Sequence, residues 1–129
     1  MSRLIRIAIV IGGSVAALAC SNALAPFQPE ITNSTDNFQA QATGVTGVTT
    51  TRVFTWQNTG TTATVNHSTT LTAGAAHLTI KDAANTVVYD HDLVPSLNEP
   101  TAAGVAGAWT ITMQLTGYSG TLNFRVQSP

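Results

Sequence analysis

The stretch Gly107–Gln127, "GAWTITMQLTGYSGTLNFRVQ", decides the fold class of this 129-residue chain. Polar and apolar side chains alternate in both of its halves. The apolar positions are Trp109, Ile111, Met113, Leu115, Leu122, Phe124 and Val126. Such alternation is typical of a β-strand with one buried face. Between the halves, Thr116–Gly120 holds two glycines, which favour a turn. The stretch therefore predicts a terminal antiparallel hairpin.

The same alternation recurs upstream, from Phe38 onward. Residues 51–57, "TRVFTWQ", predict a strand, and residues 39–45, "QAQATGV", a further one. Residues 77–92, "HLTIKDAANTVVYDHD", predict a second hairpin around the turn "AAN". Residues 94–108 contain two prolines and two glycines, so we expect the longest irregular segment there.

Composition agrees with an all-β chain. Only 9% of the residues are charged, and neutral polar side chains, above all Thr, replace them. Thr tolerates the extended backbone and exposes a hydroxyl, and no segment after the N-terminal leader has a sustained helical period. We predict an antiparallel β-sandwich of about seven strands, with an immunoglobulin-like or jelly-roll-like outline.

The N-terminus has the three parts of a secretory signal peptide. "MSRLIR" is positively charged, Ile7–Leu18 is apolar, and small residues follow. The apolar part is shorter than the roughly 20 residues of a membrane-spanning helix. We therefore predict a signal peptide over residues 1–19 and export of the rest.

The segment Ala17-Leu18-Ala19 directly before Cys20 resembles the lipobox of bacterial lipoproteins. The resemblance implies a diacylglyceryl group on the cysteine sulfur, cleavage just before Cys20 and acylation of the new N-terminus. The family typically has Leu three residues before the cysteine, whereas Leu18 stands two before it. An ordinary signal-peptidase cut after Ala19 is the alternative, because Ala17 and Ala19 fit its preference for small residues.

Cys20 is also the only cysteine of the chain. An unpaired thiol in an oxidising compartment needs a reason, and lipidation supplies one. We predict Cys20 as the lipidation site and membrane lipid as its partner. A free thiol or an intermolecular disulfide is the alternative. With Ser21 after the cysteine, the resemblance implies outer-membrane sorting in a two-membrane bacterium.

Three regions follow from these patterns. Residues 1–19 are the signal peptide, 20–37 the lipidated N-terminus and a flexible tether, and 38–129 the β-sandwich domain. Phe27 and Ile31 are candidates to dock on the domain as a first edge strand.

The last of these regions carries a second resemblance. Gly107–Gln127 resembles the final strands of small exported bacterial β-domains, such as the pre-peptidase C-terminal class. That resemblance covers only this stretch and implies no active site.

Few residues suggest chemistry. Asp82, Asp90 and Asp92 are weak candidates for a calcium site, but solvated strand-end charges that discourage edge pairing explain them better. The three histidines come from different predicted strands without zinc-ligand spacing and are expected to be exposed. They are His67, His77 and His91. No metal or other cofactor is predicted.

The remaining candidates are neutral. Ser119 lies in "GYSG" between two predicted strands, which predicts a turn and not a nucleophile elbow. Trp56 and Trp109 are expected in the core, with a sugar-binding platform as the alternative. Tyr89 and Tyr118 are expected to be exposed.

The functional prediction is an exported lipoprotein of the bacterial envelope, a non-catalytic binding or structural module and not an enzyme. Removal of the predicted signal peptide takes away Arg3 and Arg6 and leaves three basic side chains against six acidic ones. The resulting net charge of −3 disfavours binding to nucleic acid. An envelope polysaccharide or protein is the expected partner. The alternatives are a glycan- or calcium-dependent adhesion module and a self-assembling surface or filament subunit.

Overall fold

The structure, a computed structural model, describes residues 27–129. The predicted signal peptide, the lipidation site Cys20 and the first part of the predicted tether lie outside these residues. Seven strands form one open antiparallel sheet. They are β1 (Glu30–Ser34), β2 (Asn37–Asn58), β3 (Thr64–His67), β4 (Ala73–Lys81), β5 (Val87–Asp92), β6 (Leu97–Pro100) and β7 (Gly107–Gln127). The predicted seven-stranded, antiparallel all-β class is confirmed. The described part of the chain contains no helix, and so none that could cross a membrane.

The two long strands β2 and β7 organise the sheet. They pair antiparallel along their whole lengths, from Asn37 opposite Gln127 to Asn58 opposite Gly107. β1 pairs with the N-terminal half of β2, and β3 with the C-terminal half of β7. β6 extends that layer beyond β3. The other halves of β2 and β7 form a second layer with β4 and β5.

The sheet folds over on itself where β2 and β7 bend. The register between the two strands shifts three times between Ala42 and Thr50, as it does at β-bulges. Three glycines in this region, Gly44, Gly47 and Gly117, have positive φ angles of 62°, 58° and 51°. Only glycine adopts that conformation at little cost. The paired bends bring the two layers face to face.

The predicted terminal hairpin is wrong. Thr116–Gly120 bends a continuous strand and does not reverse it, so both alternating halves belong to β7. Gly120, with φ 148°, passes so close to Thr70 that a β-carbon there would collide with its carbonyl oxygen. Likewise, the predicted strands at 39–45 and 51–57 are parts of β2.

Other sequence predictions hold. β4 and β5 form the predicted second hairpin, with His77 opposite Asp92 and Ile80 opposite Tyr89. Ile31 lies in β1, as the predicted docking of a first edge strand requires. Two predicted bounds are wrong: the fold begins before residue 38, inside the predicted tether, and the short strand β6 interrupts the predicted irregular segment 94–108.

The core lies between the two layers and is rich in aromatic rings. Trp56 and Trp109 are fully buried and meet edge to face, 6.0 Å apart. Phe38 of the first layer packs on Phe54 of the second, with ring centroids 5.1 Å apart. The core position of the tryptophans is confirmed, and the sugar-platform alternative for them is wrong.

The expected exposure of two tyrosines is also wrong. Tyr89 is 5% exposed, and Tyr118 is fully buried. The Tyr118 hydroxyl donates to the Thr70 carbonyl at 2.7 Å. Its burial follows from the continuity of β7, because the bend turns this side chain inward and not out to a turn tip.

Candidate functional site

A groove of about 590 Å³ opens at the bend of the sheet. It forms because the bulges offset the two long strands, pairing Val45 with Gly120 and Val48 with Tyr118. We call it the corner groove. Its polar lining consists of Gln28, Glu30, Gln41, Thr43, Thr46, Thr121 and Asn123. Its apolar lining consists of Phe27, Ala42, Val45, Val48 and Leu122, with Gly44 between them.

One wall of the corner groove is fixed by Arg52. Its Nη2 donates to the Phe27 carbonyl at 2.7 Å, and its guanidinium lies 5.3 Å from the centre of the Phe27 ring. A cation over an aromatic face is attracted by the ring quadrupole. Arg52 therefore holds the Phe27 ring in place.

β1 is fixed against the second layer by hydrogen bonds to the far half of β2. Asn33 Nδ2 donates to the Thr55 carbonyl, and the Trp56 indole donates to the Ser34 carbonyl, both at 3.0 Å. At the turn after β1, the Asp36 amide donates to the Gln57 carbonyl at 2.9 Å. These contacts fix the strand that carries Glu30 along the groove.

Ser119 serves the bend and not a reaction. Its Oγ accepts a hydrogen bond from the Gly47 amide at 2.8 Å, which ties β7 to β2. On the same corner, the Thr49 hydroxyl accepts from the Gly117 amide at 2.8 Å. Both hydroxyls thus satisfy backbone amides that the bulges release from the ladder.

A second polar cluster lies between β5 and β6. It consists of His67, Tyr89, His91 and Glu99, and we call it the seam cluster. His67 is 1% exposed, and its Nδ1 lies 2.9 Å from the Leu93 carbonyl, so Nδ1 carries a proton. Its Nε2 lies 3.2 Å from the Tyr89 hydroxyl. The hydroxyl also lies 3.0 Å from Glu99 Oε2, and His91 Nε2 lies 3.6 Å from the same carboxylate oxygen. This seam cluster links both layers.

In the seam cluster, the pKa values of His67 and Tyr89 are shifted in opposite directions. Burial lowers the pKa of His67, although the Leu93 carbonyl and Glu99 partly oppose this. Burial and the neighbouring Glu99 raise the pKa of Tyr89. The Nε2 of a neutral His67 can only accept a hydrogen bond, so it needs the hydroxyl proton of Tyr89 as donor. Glu99 competes for the same proton. A protonated His67 would donate to Tyr89, which would then donate to Glu99.

A separate exposed cluster on the outer face of the β4–β5 hairpin consists of His77, Asp90 and Asp92. His77 Nδ1 lies 2.7 Å from Asp92, and its Nε2 lies 2.5 Å from Asp90. The hydrogen bond to Asp92 raises the pKa of His77, with Asp90 adding to the effect. The bond to His77, followed by one from Thr79, lowers the pKa of Asp90.

The three aspartates proposed for calcium do not meet. Asp82 lies in the β4–β5 turn, where Oδ1 accepts from the Ala84 and Thr86 amides at 3.0 and 2.8 Å, and Oδ2 accepts from Val105 at 2.9 Å. The Thr86 amide bond is the main reason that the pKa of Asp82 is lowered. Asp82 thus shapes a turn, while Asp90 and Asp92 hold His77. Within residues 27–129, no group of three His, Cys, Asp or Glu side chains is placed to bind a metal ion.

Sequence reasoning missed both the corner groove and the burial of His67. The signal for the groove is the occurrence of glycine pairs, Gly44 with Gly47 and Gly117 with Gly120, inside two alternating stretches. No protein-family model matches the chain, and no curated protein matches it significantly.

Proposed function

We propose that this protein is an exported, non-catalytic lipoprotein that is anchored through Cys20 in the bacterial envelope and binds a ligand close to the membrane.

 The observation that carries this proposal is the position of the corner groove. Phe27, which lines it, stands seven residues after Cys20. Seven residues span at most about 25 Å. Acyl chains on Cys20 would therefore keep the groove close to the lipid surface.

The lining of the groove supports binding more than catalysis. In the described part of the chain, its other polar groups are amides and hydroxyls, and Glu30 is the one titratable lining side chain. General acid–base or nucleophilic chemistry needs a second group within hydrogen-bond reach. Ser119, the hydroxyl that the sequence analysis considered as a nucleophile, accepts a hydrogen bond from the Gly47 amide.

A labelling experiment tests the anchor. The full chain is expressed in a two-membrane bacterium that is fed an alkyne analogue of palmitate, beside the variant Cys20→Ser. We expect the wild-type protein to carry the label and to sediment with the membranes, because several acyl chains hold a protein essentially permanently. The variant should carry no label. An unlabelled wild-type protein in the aqueous fraction would refute the proposed anchor.

A further inference from the structure

We propose that the corner groove binds a segment of neutral polysaccharide. This inference names the ligand class of the binding function proposed above and rests on it. The volume of about 590 Å³ lies within the roughly 300–1,000 Å³ that is usual for small-molecule sites. It has room for a few sugar rings of a longer chain.

The polar groups of the groove suit sugar hydroxyls. A side-chain amide offers two donors and one acceptor in a plane, so it can bond two neighbouring hydroxyls at once. Gln28 and Gln41 supply two such amides, and Thr121 adds a hydroxyl. Asn123 supplies a third amide, whose Nδ2 already donates one hydrogen bond to Ser68 Oγ at 3.0 Å. Within residues 27–129, the side chains of Gln28 and Gln41 make no hydrogen bond to another residue.

The apolar groups complete the match. A pyranose ring has C–H groups on its faces, and these pack on aromatic and aliphatic surfaces. Phe27, Val48 and Leu122 offer such surface beside the amides. Arg52 holds Phe27 before any ligand arrives, so little side-chain freedom is lost on binding at that wall.

The charge of the groove lining favours neutral over anionic ligands. Among the lining residues that fall within 27–129, Glu30 is the sole charged group and none is basic. Arg52 is engaged with Phe27. A phosphate or an acidic sugar would face a carboxylate without a counter-charge, whereas Glu30 can accept hydrogen bonds from neutral hydroxyls.

At the bend, the backbone offers little to an extended peptide. A peptide that adds a strand needs free backbone groups along an edge, and the amides of Gly47 and Gly117 are already bonded to Ser119 and Thr49. Among the described strands, the outer edge of β1, which carries Glu30, has no partner, so a peptide probe tests pairing there.

A titration followed by NMR tests the inference. The full chain with ¹⁵N labelling, purified in detergent micelles, is titrated with neutral hexasaccharides of glucose, N-acetylglucosamine, mannose and xylose. Oligogalacturonate serves as the anionic probe and an extended polyalanine-serine peptide as the peptide probe. We expect at least one neutral sugar to shift the side-chain amide signals of Gln28, Gln41 and Asn123 saturably. Because the ligand is uncharged, added salt should not change the affinity.

Two variants on one strand make the result specific. Gln41→Ala removes an amide from the groove, and Gln39→Ala removes one two residues away on the same face of β2, outside the groove. Loss of one or two hydrogen bonds should weaken sugar binding about fivefold to tenfold in Gln41→Ala. Gln39→Ala should bind as the wild type does. Unchanged thermal unfolding of both variants would show that each keeps its fold.

Several results would overturn the inference. These are no shift with any neutral sugar, equal binding by Gln41→Ala and the wild type, and a preference for the anionic or the peptide probe. Contacts between these amides and residues 21–26 that no sugar displaces would mean that the chain fills its own groove. Sugar binding does not require acylation, so Cys20→Ser should bind equally. Failure of the anchor and failure of the sugar site are thus seen in different experiments.

Discussion

Removing one hydroxyl from the seam cluster should destabilise the protein markedly. Tyr89→Phe keeps the ring, which packs against His91 at 4.8 Å, but deletes the group between His67 Nε2 and Glu99. His67 is 1% exposed, so water cannot readily replace the lost partner. An unpaired buried polar group costs about 1–3 kcal/mol. We expect the free energy of unfolding to fall by that amount at pH 8, where His67 is neutral.

Tyr118→Phe is the matched control. Tyr118 is equally buried, and its hydroxyl donates to the carbonyl of Thr70, whose side chain lies at the surface. Its loss should cost only about 0.5–1.5 kcal/mol, as for an ordinary hydrogen bond. Urea unfolding followed by tryptophan fluorescence measures both variants. A smaller loss for Tyr89→Phe than for Tyr118→Phe would refute the view that the Tyr89 hydroxyl is the hydrogen-bond partner that His67 and Glu99 share.

Three further predictions concern titration and the bends. In an NMR titration of their ring protons, His67 should titrate below pH 6.5 and His77 above it. Because folding lowers the pKa of His67, the free energy of unfolding should fall as the pH drops below 6.5. The stability that a protonated His77 contributes should be lost as the pH rises through its raised pKa. Gly120→Ala should lower the melting temperature more than Gly44→Ala, because a β-carbon at Gly120 meets backbone and one at Gly44 meets open space; equal effects would contradict this. Asp82→Ala should lower the melting temperature near pH 7, and the difference from wild type should shrink as acid protonates Asp82 in the wild type.

Local patterns predicted the strands better than their connections. The period of two in Gly107–Gln127 predicts the correct buried face, yet its central glycines form a bend and not the expected turn. A glycine pair inside an alternating stretch fits a reversal or a bend equally well. The bend forms because Gly44 and Gly47 occupy the facing stretch of β2, about seventy residues away in sequence. Nothing in the local pattern shows which distant strand pairs there.

The seam cluster escaped prediction for a related reason. The segment around His67 is polar, which favours exposure, but the fold brings Tyr89 and Leu93 over it from β5 and the residue that follows. The burial of His67 depends on how the two layers of the sheet pack against each other. The β4–β5 hairpin, by contrast, was predictable because its strands and turn are contiguous in the sequence.

The anchored state is tested most directly by the intact mass of the protein purified from its native membranes. We expect a chain that begins at Cys20 and carries additional acyl mass. A chain with an unmodified Cys20, or one cut at another site, would contradict it.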